Sequence, residues 1–165
     1  MPDRPSKIWK EMPIETRVQA ADAFWRDGES PEIQVQHVEA IVALARRLNF
    51  RAKSVQALSV ERRAKALAQM ADVSDAIATR ALIAYHFRDR RPLMGAFLDA
   101  LGVAHDNGMI TEEDLAPPAR DRIQKAIESV RETHPAGDVE LYLRTLVALD
   151  GDTWANLDDA MTTSG

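Results

Sequence analysis

Apolar residues recur along this chain at spacings of three and four, and strict alternation is almost absent. That pattern predicts helices nearly throughout. Ile14, Val18, Ala21 and Trp25 fall on one helical face, and Gly28 follows just past the end, where a left-handed cap is favourable. Ser30 and Pro31 supply an N-cap and a first-turn proline for the next helix. Its inward face is expected at Val38, Ile41, Val42, Ala45 and Leu48, with Arg46 and Arg47 near its negative dipole end. After an irregular NFRAKS stretch, Ser59 caps a helix carrying Ala64, Leu67 and Met70. Ser74 caps another, with Ile77, Ala81, Ala84 and Tyr85 on one side.

Pro92 interrupts this last pattern, because proline has no amide hydrogen and its ring clashes with the carbonyl of residue 88. A new helix is expected from there, with Met94, Phe97, Leu98 and Leu101 as its stripe and Gly102 at its end. HDNG reads as a turn, with Thr111 capping a following turn of helix rich in acids. Pro117 and Pro118 open a helix with Ile123, Ile127 and Val130 inward. Past the breaker at 135–137, Asp138 is expected to cap a helix bearing Tyr142, Leu143, Leu146 and Leu149. A short final helix docks Trp154 and Leu157. The sum is an all-α chain, a single irregular bundle of about eight or nine short helices. A short helical solenoid is the alternative, although no repeat of fixed period is found. Residues 1–12 form a short helix or arm, 13–161 the helical domain, and 162–165 a frayed end.

Composition narrows the function classes. At 165 residues the chain is long enough to bury a core without staples, and it contains no cysteine, which removes disulfides, thiolate nucleophiles and cysteine-based metal sites. No leader-like or membrane-spanning run is seen, so a soluble, cytoplasmic protein with no membrane partner is expected. The net charge of −5 is unevenly spread. Arg46, Arg47, Arg51, Lys53, Arg62, Arg63 and Lys65 face only Glu61 between positions 46 and 65, whereas seven acids face Arg144 from Glu132 onward. Solvated helix faces, or mutual attraction of the two runs, account for this without a ligand.

Three segments carry candidate chemistry. In YHFRDRRPLM (85–94), Tyr85, His86, Arg90 and Arg91 gather at the Pro92 break. Arginines suit a helix C-terminus, while the free amides after Pro92 would complete an anion site with Arg90 and Arg91. His105 and Asp106 project from the HDNG loop, and tertiary convergence offers catalytic pairings that spacing does not reveal, for instance His86 with Asp106. The same loop fits a calcium pattern only in its second half: Val103 and His105 stand where oxygen ligands belong. The basic 46–65 segment suggests a helix-turn-helix reader of nucleic acid, with Phe50 as its one interleaved aromatic. No glycine-rich phosphate loop, nucleophile elbow or paired-histidine metal motif occurs, and the histidines at 37, 86, 105 and 134 are dispersed. Trp9, Trp25 and Trp154 read as core, and the segment around Trp9 either docks back on the bundle or engages another protein. The expectation is therefore a noncatalytic interaction or regulatory domain with no cofactor and no metal, whose partner is another protein or a second copy. An enzyme or small-anion binder at the 85–92 junction and the 105–108 loop is the alternative, followed by a nucleic-acid binder.

Overall fold

Short amphipathic segments separated by proline, glycine and capping residues fold as helices that bury one stripe each. In the computed structural model, which describes residues 3–28 and 31–163, they form an all-α multi-helix bundle. The helices are α1 (Pro5–Glu11), α2 (Ile14–Arg26), α3 (Pro31–Leu48), α4 (Ala52–Ala57), α5 (Val60–Ala68), α6 (Asp75–Asp89), α7 (Arg91–Leu101), α8 (Arg120–Arg131), α9 (Ala136–Leu149) and α10 (Ala155–Thr163). One two-stranded antiparallel hairpin, β1 (His105–Asp106) with β2 (Met109–Ile110), lies between α7 and α8. No helix among the described residues is long and apolar enough to cross a membrane. The chain divides into two compact units, Pro5–Arg88 and Asp89–Gly165 with Met1–Arg4.

In the unit formed by Pro5–Arg88, α2 packs on α5. Ala20 and Ala21 on one helix and Ala64 and Ala68 on the other are buried, small enough to let the two backbones approach. Trp9 on α1 is fully buried, and its indole Nε1 donates to the Met70 carbonyl at 2.8 Å. Asp75 at the start of α6 accepts from the Ser6 amide, so the Trp9 segment docks onto its own unit at both ends. His37 lies against the Phe24 and Trp25 rings and donates from Nε2 to the Phe24 carbonyl, one of the carbonyls α2 leaves without an intrahelical partner. Ser59 and Ser74 cap α5 and α6 as expected, accepting from the amides of Arg62 and Ile77.

In the other unit α7 packs on α8, and α10 on α8 and α9. Met94, Phe97, Leu98 and Leu101 are buried as their spacing predicts, and Phe97 meets Tyr142 edge-on and Trp154 at a tilt. Burial pushes the Tyr142 phenol well above its ordinary pKa. Gly102 closes α7 in the left-handed conformation at φ 78°. A β-carbon there would also collide with the Arg122 guanidinium, which donates to the Leu101 carbonyl at 2.7 Å. Asn107 and Gly108 both adopt positive φ, making a tight hairpin turn of the mirror-image kind that Asn-Gly favours.

Several local expectations are corrected. The buried stripe of α3 is Ile33, Ala40, Ile41 and Leu44, while Val35, Val38 and Val42 are 63%, 61% and 41% exposed. The helix has two apolar stripes, and periodicity alone cannot say which turns inward. Gly28 does not adopt the left-handed conformation; α2 ends at Asp27 in an extended one. The proposed Ser30 cap lies outside the described residues. Asn49, at φ 55°, takes the left-handed role at the end of α3, and the Phe50 amide bonds back to Ala45, which closes a Schellman motif. Inside the supposedly irregular NFRAKS stretch begins α4. Thr111 caps no helix: its amide bonds to Ala104, and no helix resumes before Arg120. Pro135, not Asp138, stands at the N-cap of α9, and Asp138 sits in the first turn. At the other end, α10 continues through Thr163, whereas Ser164 and Gly165 lie outside the described residues.

Two substitutions measured in dilute solution separate the inner from the outer surface. Trp9→Ala is expected to lower unfolding free energy by about 3–5 kcal/mol, and Val38→Ala to change it by no more than about 0.5 kcal/mol. Urea denaturation monitored by circular dichroism reads both. A loss at Val38 comparable to that at Trp9 would return Val38 to the core.

Candidate functional site

The segment 85–94 spans the end of α6 and the start of α7, and its side chains lead to different partners. Tyr85 and His86 are both buried, with their rings edge-to-face at 5.1 Å. His86 Nδ1 lies 2.8 Å from the Leu82 carbonyl one turn back. A carbonyl only accepts, so the proton sits on Nδ1. Arg88 reaches back to α2, where it donates to the Asp22 carboxylate and to the Gln19 carbonyl. Arg26 grips the same carboxylate through Nε, 3.0 Å from each oxygen. Burial raises the Asp22 pKa, but hydrogen bonds and charge from Arg88 and Arg26 outweigh it and hold the carboxyl below its usual range. An acid gripped by two guanidiniums is a poor general base. Open grooves of about 330 and 290 Å³ flank this clamp, the first rimmed by Glu61 and Lys65 and the second by Asp27.

Beyond the break, Arg90 is the N-cap residue of α7 and Pro92 falls in its first turn, as the sequence predicts. The Arg90 guanidinium donates to the Asp89 carbonyl at 2.9 Å and lies 3.5 Å from Asp138 in the first turn of α9. Arg91 instead donates to the Asn107 carbonyl in the hairpin turn, at 2.8 Å. The two cations thus tie the start of α7 to two elements of its own unit.

His105 and Asp106 are neighbours on a strand, so their side chains point to opposite faces. His105 turns toward α7. Its Nε2 donates to Asp99 at 2.7 Å, and its Nδ1 accepts from the Gly108 amide at 3.0 Å. It clips the turn to the helix beneath. Asp106 is exposed. Under the turn, a β-carbon on Gly108 would come within 3.0 Å of Met94, at a φ of +92° that disfavours any side chain. Among the described residues no three histidine or acidic side chains converge in a way that could hold a metal ion. The hairpin geometry accounts for the half-matched calcium pattern as turn chemistry.

The basic segment is arranged differently. Arg46, Arg47, Arg51, Lys53, Arg62 and Lys65 are all exposed, and none forms an ion pair among the described residues. Arg63 is the exception, stacking its guanidinium 5.0 Å from the Trp25 ring centre. Helices α4 and α5 meet across only Leu58 and Ser59, a tighter joint than the sequence suggests. Phe50, 48% exposed, stands at the end of α3 beside these cations in sequence. Sequence reasoning missed a different surface altogether, the outward valines of α3. Its one available signal was a second three-four register, Val35–Val38–Val42–Ala45, alongside the buried one.

The Asp22 clamp has a signed pH dependence. Its folded pKa lies below the unfolded value, so its stabilisation is complete above about pH 4 and is lost as pH falls through the folded pKa. Arg88→Gln removes one of the two guanidiniums and should move acid unfolding to higher pH. Superimposable acid-unfolding curves for variant and parent would contradict this role for Arg88. In comparisons with profiles of known protein families, with curated proteins and with solved structures, the chain matches none.

Proposed function

We propose that this chain is a noncatalytic helical interaction module that docks another polypeptide along α3. The observation that carries the reading is the solvent-facing stripe Val35, Val38 and Val42 on the side of α3 opposite its buried face. Surface positions of a helix with a satisfied core stripe are ordinarily polar, and contiguous exposed apolar side chains favour association. Beside Val42 opens a groove of about 380 Å³ whose walls include Ala43, Met70, Val73 and Ile77, widening the apolar face beyond one helix. The enzyme and anion-binding alternative has less support. Tyr85 and His86 are buried, Arg90 and Arg91 bond to different elements, and Asp22 is held as an ion.

A photo-crosslinking side chain placed at Val38 tests the docking face. A discrete adduct is expected, competed by excess unmodified chain and weakened by Val35→Ser with Val42→Ser. An adduct no stronger than that from exposed Glu128 on α8 would count against the reading.

Six exposed cations without ion-pair partners among the described residues favour a second reading, polyanion binding along 46–65. Its signature is salt dependence, because each phosphate neutralised releases a counterion and the log–log slope approaches about −0.9 per contact on duplex DNA. Nucleic-acid affinity measured across a salt series should fall steeply and flatten when Arg46, Arg47 and Arg51 become glutamine. Absence of retention on DNA and RNA at low salt rules this second reading out.

A further inference from the structure

We infer that the occupant of the α3 face is a second copy of this chain, its α3 lying antiparallel to the first across a twofold axis near Val42 and Ala43. This rests on the reading of α3 as a docking face and names its partner.

The outward positions of α3 repeat at three and four residues, as Val35, Val38, Val42 and Ala45. That is the register of a helix seam with one apolar stripe per turn. The Schellman closure extends it, since Phe50 occupies the position that ordinarily packs on the third residue from the helix end, here Ala45. Flanking the seam on one side are Glu39 and Arg46, both exposed and neither in an ion pair among the described residues. They lie seven residues apart on the same flank, and the point midway between them falls between Val42 and Ala43.

A twofold axis through that midpoint gives the strip a self-complementary pattern, as an isologous interface requires. Glu39 of each copy then faces Arg46 of the other, and Val35 faces Phe50. In a parallel arrangement the same flank falls on opposite sides of the seam in the two copies, so Glu39 and Arg46 meet only the uncharged flank of Gln34, Ile41 and Leu48. Charge thus selects the antiparallel mate. An 18-residue helix is only about 27 Å long. Its face is smaller than the roughly 800 Å² per partner of a standard stable interface, so the pair is reversible and depends on concentration.

The test exploits the absence of cysteine from the chain. In the 165-residue chain, Val42→Cys lies beside the axis and should form a disulfide-linked pair of twice 18.4 kDa under mild oxidation. Val35→Cys should not pair with itself, because its two copies are offset by about 22 Å along the helices, far beyond disulfide reach. Sedimentation equilibrium over a concentration series adds the charge readout. Glu39→Arg alone and Arg46→Glu alone should each abolish the dimer, and the double reversal should restore it. Circular dichroism of every variant should match the parent, since these side chains are exposed. Equal crosslinking from positions 35 and 42, or a chain monomeric at every concentration, overturns the inference. If the photo-adduct from position 38 contains only a different polypeptide, the second copy is excluded and the docking face stands. If no adduct forms, both fall.

Discussion

Every helix end leaves backbone groups that its own hydrogen bonds cannot reach, and a chain of many short helices multiplies that constraint. Much of the polar chemistry of this protein answers it. Trp9 donates to Met70, His37 to Phe24, Arg122 to Leu101, Arg91 to Asn107, and Asn156 to Pro118, in each case to a main-chain carbonyl at a helix end, turn or loop. Such bonds contribute about 0.5–1.5 kcal/mol each, and rather more from a charged donor. Leaving a buried carbonyl bare costs more than that. The same side chains that make a sequence look chemically busy are held in place by this work, and a guanidinium so engaged has a fixed direction.

That constraint explains how far the sequence could be read. The caps at Ser59 and Ser74, the break at Pro92, the stripe from Met94 to Leu101 and the left-handed Gly102 are local physics, written within a few residues of where they act. Deciding which side of α3 faces inward is not local. Ile33, Ala40, Ile41 and Leu44 compete with Val35, Val38 and Val42, and both sets satisfy helical spacing, so only the neighbours of α3 decide between them. Thr111 failed as a cap for a related reason. Its amide is taken by Ala104 across the base of the hairpin, a pairing that no window of helical periodicity contains. At the candidate site, the presence of a junction was legible, but the partners of Arg88, Arg90 and Arg91 lie 66, 48 and 16 residues away, beyond any local signal.

Once such groups are accounted for, what is left over stands out. The valines of α3, the charges at Glu39 and Arg46, and the cations that continue to Lys65 have no partner of their own kind within the described residues. They lie close together in sequence, and all belong to the unit formed by Pro5–Arg88. An apolar stripe bordered by opposite charges specifies orientation as well as contact, because hydrophobic burial is indifferent to direction while ion pairs are not.

The salt bridge between Arg144 and Asp3, with Nη2 to Oδ2 at 2.8 Å, joins positions 141 residues apart. Asp3 belongs with the unit that runs from Asp89 onward, whereas Pro5, two residues later, begins the other. On the ribosome the unit ending at Arg88 has its whole sequence available first and can close its core at once. Asp3, made 141 residues before Arg144, finds its partner only after that arginine has emerged. The order in which this chain is built is therefore not the order in which it is fastened.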